Sequence, residues 1–395
     1  MNSLAPSVMM LSLAVVSALV INAVPILAPV AASSLALSPE YIGYFIAITY
    51  VTGMISALAS GNFIVRYGAI RISQIGLFLG SLGLVLIASA NLSLVVIGAI
   101  IIGIGYGPIS PASSHVLART TPPERLGITF SIRQTGNPLA GFLAGILVPG
   151  LVLLTSWQAS LLIIAVFLLF FIWFAQPFRQ ELDSDRIAQS PFSLKVILQP
   201  IQYVLLNPQL RELALVSFLF CGLQMILTSY LVTFLTSELH ISFVAAGFAL
   251  ASTQLTSVLA RIAWGYVADR FMTPRTVLGL LGIVMAAASM ATAAMSPSWS
   301  YSMVILLTAI FGSAAIGWNG VYMAEIARVA PHGTIAATTG ASLFFAYLGG
   351  IVGPSSFAYV ILKTQSYQYG FIIFGLLALI ASASLILRKT KRSDT

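Results

Sequence analysis

The sequence predicts an all-α polytopic membrane protein with twelve transmembrane helices in two pseudo-symmetric six-helix bundles. Three observations predict it: a composition too apolar for water, twelve long hydrophobic runs, and a charged turn that occurs twice. Of the 395 residues, 59% are hydrophobic and 7% charged, and mean hydropathy is +1.01. A soluble domain averages about 25% charged residues. A helix crosses a bilayer with roughly 20 apolar residues, and the runs have that length. They are continuous, without the polar and apolar alternation of barrel strands.

Cut at Pro, Gly and charge clusters, the runs fall at about 8–31, 41–64, 70–90, 94–117, 127–154 and 159–175, then 211–236, 243–266, 276–295, 301–326, 335–361 and 370–388. The first is longer than a signal-peptide core and has no Lys or Arg before it, so it is expected to stay as the first helix. Between the two sixes lies the longest polar stretch, Pro177 to Gln209, carrying Glu181, Asp183, Asp185, Arg186 and Lys195. Its apolar piece, 196–206, contains Pro200 and is too short to span, which suits a linker lying at the interface. The expected organisation is an N-terminal bundle over 1–176, a cytoplasmic linker over 177–209 and a C-terminal bundle over 210–395.

Charge placement sets the expected orientation. With the N-terminus inside, the inner loops, helix ends and tail collect Arg66, Arg71, Arg119, Arg125, Arg179, Arg186, Lys195, Arg211, Arg261, Arg270, Arg275, Arg328, Arg388, Lys389, Lys391 and Arg392. The outer loops collect Lys363. That asymmetry predicts an inner (plasma) membrane protein with both termini cytoplasmic. It also accounts for the net charge of +8 without a nucleic-acid partner. Cys221 is the single cysteine, so no internal disulfide can form.

The repeated turn is Gly265-Tyr-Val-Ala-Asp-Arg-Phe-Met-Thr-Pro-Arg275, after the eighth run. Its earlier copy, Gly61-Asn-Phe-Ile-Val-Arg-Tyr-Gly-Ala-Ile-Arg71, keeps the leading Gly, the Arg five residues on and the closing Arg. It has Val65 where the later copy has Asp269. Gly127 and Gly136 match Gly340 and Gly349, and Ala118-Arg119 with Pro122 matches Ala327-Arg328 with Pro331. Two related halves in parallel order are the construction of transporters that rock two bundles about a central site.

On the Gly-x-x-x-Asp-Arg turn after the second helix of a half, the twelve helices and the long central loop, the chain resembles the major facilitator superfamily over nearly its whole length. The later turn matches the family's loop signature in full, and the earlier one lacks the acid. In the fourth helix, Ala99 stands four residues before Gly103-Ile-Gly105, where many members carry an Arg. The resemblance implies a secondary transporter whose first, fourth, seventh and tenth helices line a central cavity, which favours Asn22, Tyr106, Gln224 and Asn319. The place of the charged turns at expected inner helix ends also suggests a cytoplasmic gate. Gly61 and Arg66 in the first turn, Gly265, Asp269, Arg270 and Arg275 in the second, and the pair Glu325 and Arg328 are its candidates. Asp269 is expected to latch helix ends together, and the earlier turn, with Val65, to latch more weakly.

Arg133 is the sharpest single signal. It lies about six residues into the fifth run, about 9 Å from the inner end. A charge at that depth is costly and marks a functional site by default, while a snorkelling side chain is the plain alternative. Gln134 adjoins it and Asn137 lies one turn on; Pro138 cannot donate to the carbonyl of Gln134. Guanidinium and amides together suit a carboxylate or small oxyanion. In the tenth run, Trp318, Tyr322 and Glu325 share a face with Asn319 beside it, a composition that fits a pocket or plain helix packing. Glu325, three residues before Arg328, is better placed for an inner-edge ion pair than for carrying protons. Gln254 is a further mid-membrane amide.

Enzyme chemistry finds little support. His115, His240 and His332 are scattered, no Cys/His cluster has ligand spacing, and there is no Gly-x-x-x-x-Gly-Lys-Ser/Thr phosphate loop. No cofactor or metal is expected. The expected function is alternating-access transport of a small organic or inorganic anion by a monomer in the lipid bilayer, driven by a coupling proton, a counter-substrate or the substrate's own gradient. Two other readings stay open: an exporter of hydrophobic or cationic compounds, and a membrane sensor or partner-binding subunit that does not transport.

Overall fold

The computed structural model describes residues 4–122, 126–187, 198–330 and 335–387. Arg125, Lys195, Pro331, His332, Arg388, Lys389, Lys391 and Arg392 lie outside them. The described residues form helices and turns, and twelve stretches among them are long and apolar enough to cross a membrane. The first six spans are α1 (Leu4–Ser34), α2 (Ile42–Tyr67), α3 (Ala69–Ala88), α4 with α5 (Leu92–Tyr106, Ile109–Thr120), α6 with α7 (Leu126–Gln134, Gly136–Leu154) and α8 (Trp157–Ala175). Two short helices, α9 (Arg179–Leu182) and α10 (Leu198–Leu206), follow. The other six spans are α11 (Pro208–Ser237), α12 (Phe243–Arg270), α13 (Pro274–Ala293), α14 with α15 (Tyr301–Ala315, Asn319–Val329), α16 (Ile335–Thr364) and α17 (Tyr367–Leu387).

Local chemistry sets the helix starts. Asn91 caps α4 by accepting from the amides of Ser93 and Leu94, Ser156 caps α8, Thr273 caps α13 ahead of Pro274, and Ser300 caps α14. Between α2 and α3 there is one residue, Gly68, at φ +96°, a conformation that only glycine adopts cheaply.

The chain forms two compact units, one of residues 1–197 with Thr228–Ala251, the other of Leu198–Leu227 with Ser252–Thr395. The boundaries fall inside α11 and α12. In the first unit α3 packs on α4 and α8, α2 on α4, and α1 on α7. Tyr230 Oη of α11 donates to the Glu40 carbonyl at 2.9 Å, within the same unit. In the second unit α13 packs on α17 and α14, and α10 on α16.

Three of the spans are interrupted, and the interruptions position the polar groups. The fourth breaks at Gly107-Pro108, the fifth at Thr135 and the tenth over Ile316–Trp318. Pro138, which lacks an N–H, explains the fifth, because the carbonyl of Gln134 loses its helical donor. Nonhelical backbone in a membrane survives where protein groups or a water-filled cavity satisfy it.

Candidate functional site

In the first unit the breaks of the fourth and fifth spans bring Arg133, Gln134, Asn137, Tyr106 and Ser110 together. Arg133, the penultimate residue of α6, donates from Nη1 to Ser110 Oγ at 3.0 Å and to Gln134 Oε1 at 3.1 Å. One turn on, Asn137 Oδ1 accepts from Tyr106 Oη at 3.2 Å. Arg133 is half-buried, with Gln134 and Asn137 exposed beside it. The result is a guanidinium with flanking amide and phenol groups, chemistry able to hold a carboxylate or similar anion. Asn22 is not part of this cluster's bonding: its Nδ2 turns back to the Ala18 carbonyl of α1 at 2.8 Å.

In the second unit Gln224 of α11 is the hub. Its Oε1 accepts from Trp318 Nε1 at 2.9 Å and from Asn319 Nδ2 at 3.4 Å. Trp318 is 1% exposed and stands edge-on to Phe220 and Tyr322, with ring centroids 5.8 and 5.2 Å apart. Tyr322 is fully buried in this aromatic packing. Gln254 is buried in α12, and its Oε1 has no hydrogen-bond partner among the described residues.

The charges at these helix ends pair differently from the sequence pattern. Arg275, buried at the start of α13, donates to Glu212 Oε1 at 2.8 Å and to the Leu385 carbonyl at 3.0 Å, so its carboxylate comes from α11 and not from Asp269. Asp269 and Arg270 are exposed at the end of α12 and take part in none of the ion pairs formed among the described residues. Glu325, fully buried, and Arg328 bond in fork geometry at 2.6 and 2.8 Å. Gly265 sits in α12 with open space where a side chain would project, as does Gly61 in α2. Arg66 lies over the Tyr67 ring at 5.5 Å.

The earlier turn has an acid after all, supplied from the segment behind the sixth span. Asp183 accepts from the backbone N–H of Ile70 at 2.7 Å and of Arg71 at 3.1 Å, capping α3, and its carboxylate fills the space a side chain on Gly68 would need. Ile187 N donates to the Val65 carbonyl at 2.8 Å, and Arg119 Nη2 to the Leu182 carbonyl at 2.7 Å. Asp185 pairs with Arg119, and its Oδ2 lies 2.6 Å from His115 Nε2. Burial pushes the Asp183 carboxyl above the usual carboxylate range against the two amides and Arg179. Burial also opposes the Asp185 charge, but the His115 bond and the Arg119 guanidinium outweigh it and hold that carboxyl below the usual range.

A family model described as Major Facilitator Superfamily matches residues 9–354. The chain belongs to that superfamily. It is similar to the hexuronate transporter of Bacillus subtilis (strain 168), with 24% identity over 383 residues, 92% of this chain and 89% of the relative. A probable nitrate/nitrite transporter, NarK2, of Mycobacterium tuberculosis is 33% identical over 128 residues, 32% of this chain and 31% of its own. Among solved structures, a bacterial homolog of the human lysosomal transporter Spinster, inward-facing and occupied, superposes with a TM-score of 0.75 at 15% identity, covering 96% of this chain and 95% of the other. The fucose:proton symporter FucP of E. coli gives 0.64 at 18% identity, covering 98% and 100%. This protein is thus a multi-pass membrane protein and a secondary transporter of the major facilitator type.

Sequence reasoning about this transporter missed the roles of three residues and singled out Ser110 only as a polar group near Tyr106. Ser110 is the hydroxyl beside Arg133, and its place two residues past Pro108 was the available signal. Glu212 and Asp183 carried none, because their partners lie far along the chain. Arg261, grouped by its sequence with the inner-side charges, lies nine residues before the end of α12, about 13 Å along the helix, and turns into the bundle. Among the described residues no group of three or more His, Cys, Asp or Glu is placed to hold a metal.

Proposed function

We propose that this transporter carries a small anion with a carboxylate and hydroxyl groups, of the sugar-acid class, across the inner membrane by alternating access. The observation behind this is Arg133: a guanidinium at a break in the fifth span that donates to the neutral side chains of Ser110 and Gln134. Asn137 and Tyr106 add amide and phenol groups suited to the same substrate. The named relatives support an anion, since hexuronate and nitrate or nitrite are all anions. Hexuronate has the hydroxyls that would use amides, and Gln224, Trp318 and Asn319 are the further candidates for contacting them.

Glu325 is engaged by Arg328, which makes it a poor proton carrier. Exchange for a counter-substrate, the substrate gradient, or a proton travelling on the substrate therefore supplies the energy. The charge asymmetry supports cytoplasmic termini.

The test is uptake into proteoliposomes of labelled hexuronates, nitrate and a lipophilic cation. Hexuronate uptake is expected in the parent. A charged hydrogen bond contributes about 1.5–3 kcal/mol, so Arg133→Ala is expected to lower uptake about tenfold or more. Arg133→Lys retains part of it, because an ammonium keeps the charge without the two-pronged geometry. Transport of the cation alone, or an unaltered rate in Arg133→Ala, overturns the proposal in favour of an exporter.

A further inference from the structure

The tenth span is unwound over Ile316–Trp318, between α14 and α15. In an unbroken helix the carbonyls of Ser313 and Ile316 would accept from the amides of Gly317 and Gly320. Here side chains of α12 reach both. Arg261 donates to the Ile316 oxygen from Nε at 3.2 Å and from Nη2 at 3.0 Å. Trp264, three residues on, donates from Nε1 to the Ser313 oxygen at 3.2 Å. Gly317 permits the turn, since a Cβ there would run into the Ser313 oxygen.

The unwound turn leads directly into the polar cluster. Trp318, its last residue, and Asn319, the first of α15, both donate to Gln224, and Asn319 Nδ2 also reaches the Ile316 oxygen at 3.4 Å. Arg261 and Asn319 therefore meet on one carbonyl. A guanidinium within a membrane span is a costly way to satisfy a backbone oxygen, and a hydroxyl or amide would satisfy it more cheaply. What the guanidinium adds is direction: two N–H groups in a rigid plane fix the carbonyl they grip, and with it the pitch of the first turn of α15.

We propose that Arg261 is a positioning residue of this transporter. It holds the unwound turn so that Trp318 and Asn319 are set against Gln224, and thereby sets substrate affinity without contacting the substrate. The effect on affinity rests on the anion-transport proposal; the grip on the turn does not.

Two measurements separate them. Hydrogen exchange on the purified protein is expected to rise at least tenfold at residues 313–320 in Arg261→Gln, with other spans of the second unit unchanged. In Arg261→Lys, which can still donate to the carbonyl, part of the protection returns. Trp264→Phe, which keeps the ring and loses the donor, gives a smaller rise in the same segment and serves if Arg261→Gln does not fold. In proteoliposomes, KM for the transported anion is expected to rise at least fivefold in Arg261→Gln while the maximal rate changes less than twofold. Unchanged exchange at 313–320, or a uniform rise across the unit, overturns the positioning role whatever is transported. Local loosening with KM unchanged confirms the grip and overturns its link to affinity. If no anion is transported, the exchange result alone decides the grip and the anion proposal falls separately.

Discussion

Gln224 shows how one side chain can organise a neighbourhood. Its single carbonyl oxygen accepts from an indole of the tenth span and from the amide that follows it. Removing the acceptor strands a donor on Trp318, a side chain that is 1% exposed. A buried donor left unpaired costs about 1–3 kcal/mol, so Gln224→Leu is expected to lower the melting temperature in detergent more than its loss of polarity suggests. Asn22 is the contrast, because its amide is used within its own helix. Asn22→Ala should leave the melting temperature nearly unchanged, and a thermal scan of the two variants side by side checks both. These two amides looked alike in the sequence, each a lone polar group in an apolar run. Only the side chain's direction separates them, and direction follows from helix rotation, which a run of apolar residues does not specify.

At the scale of elements, the start of α3 depends on a residue more than a hundred positions away. Gly68 turns the chain with φ +96°, and the space it leaves open takes the Asp183 carboxylate, which caps Ile70 and Arg71. Capping groups contribute about 0.5–2 kcal/mol, so Asp183→Ala is expected to lower stability by that amount. Gly68→Ala should cost more, because it adds backbone strain and drives a methyl into the carboxylate. The two are coupled, and the double variant should be less destabilised than the sum of the singles. Chemical denaturation of the four proteins in micelles measures this, and strict additivity would show that the carboxylate and the glycine do not share the site. The Val65 position thus lacks its acid in the repeat, while the same helix end receives one from the segment after the sixth span.

For the whole molecule, the one-sided distribution of Lys and Arg predicts which ends face the cytoplasm. Ser184 follows the sixth span and Lys363 lies at the end of the eleventh, and both are exposed. With Cys221 replaced by Ala, Ser184→Cys is expected to react with an impermeant maleimide only in inverted vesicles, and Lys363→Cys only in right-side-out ones. The opposite pattern would reverse the orientation.

The fold class, the number of spans and the internal repeat were legible in the sequence because each is a local quantity. Apolar run length is compared with a fixed bilayer thickness, and the turn from Gly265 to Arg275 can be compared with its earlier copy residue by residue. Arg133 was legible for the same reason, since an isolated charge within a long apolar run stands out without knowledge of its neighbours. Tertiary structure alone decided which carboxylate meets Arg275, which acid caps α3, and that Arg261 grips the unwound tenth span. Each of these joins residues 55 or more positions apart. Such pairings depend on which faces of packed helices meet, and among helices that are apolar on every side the sequence carries little periodicity to say so.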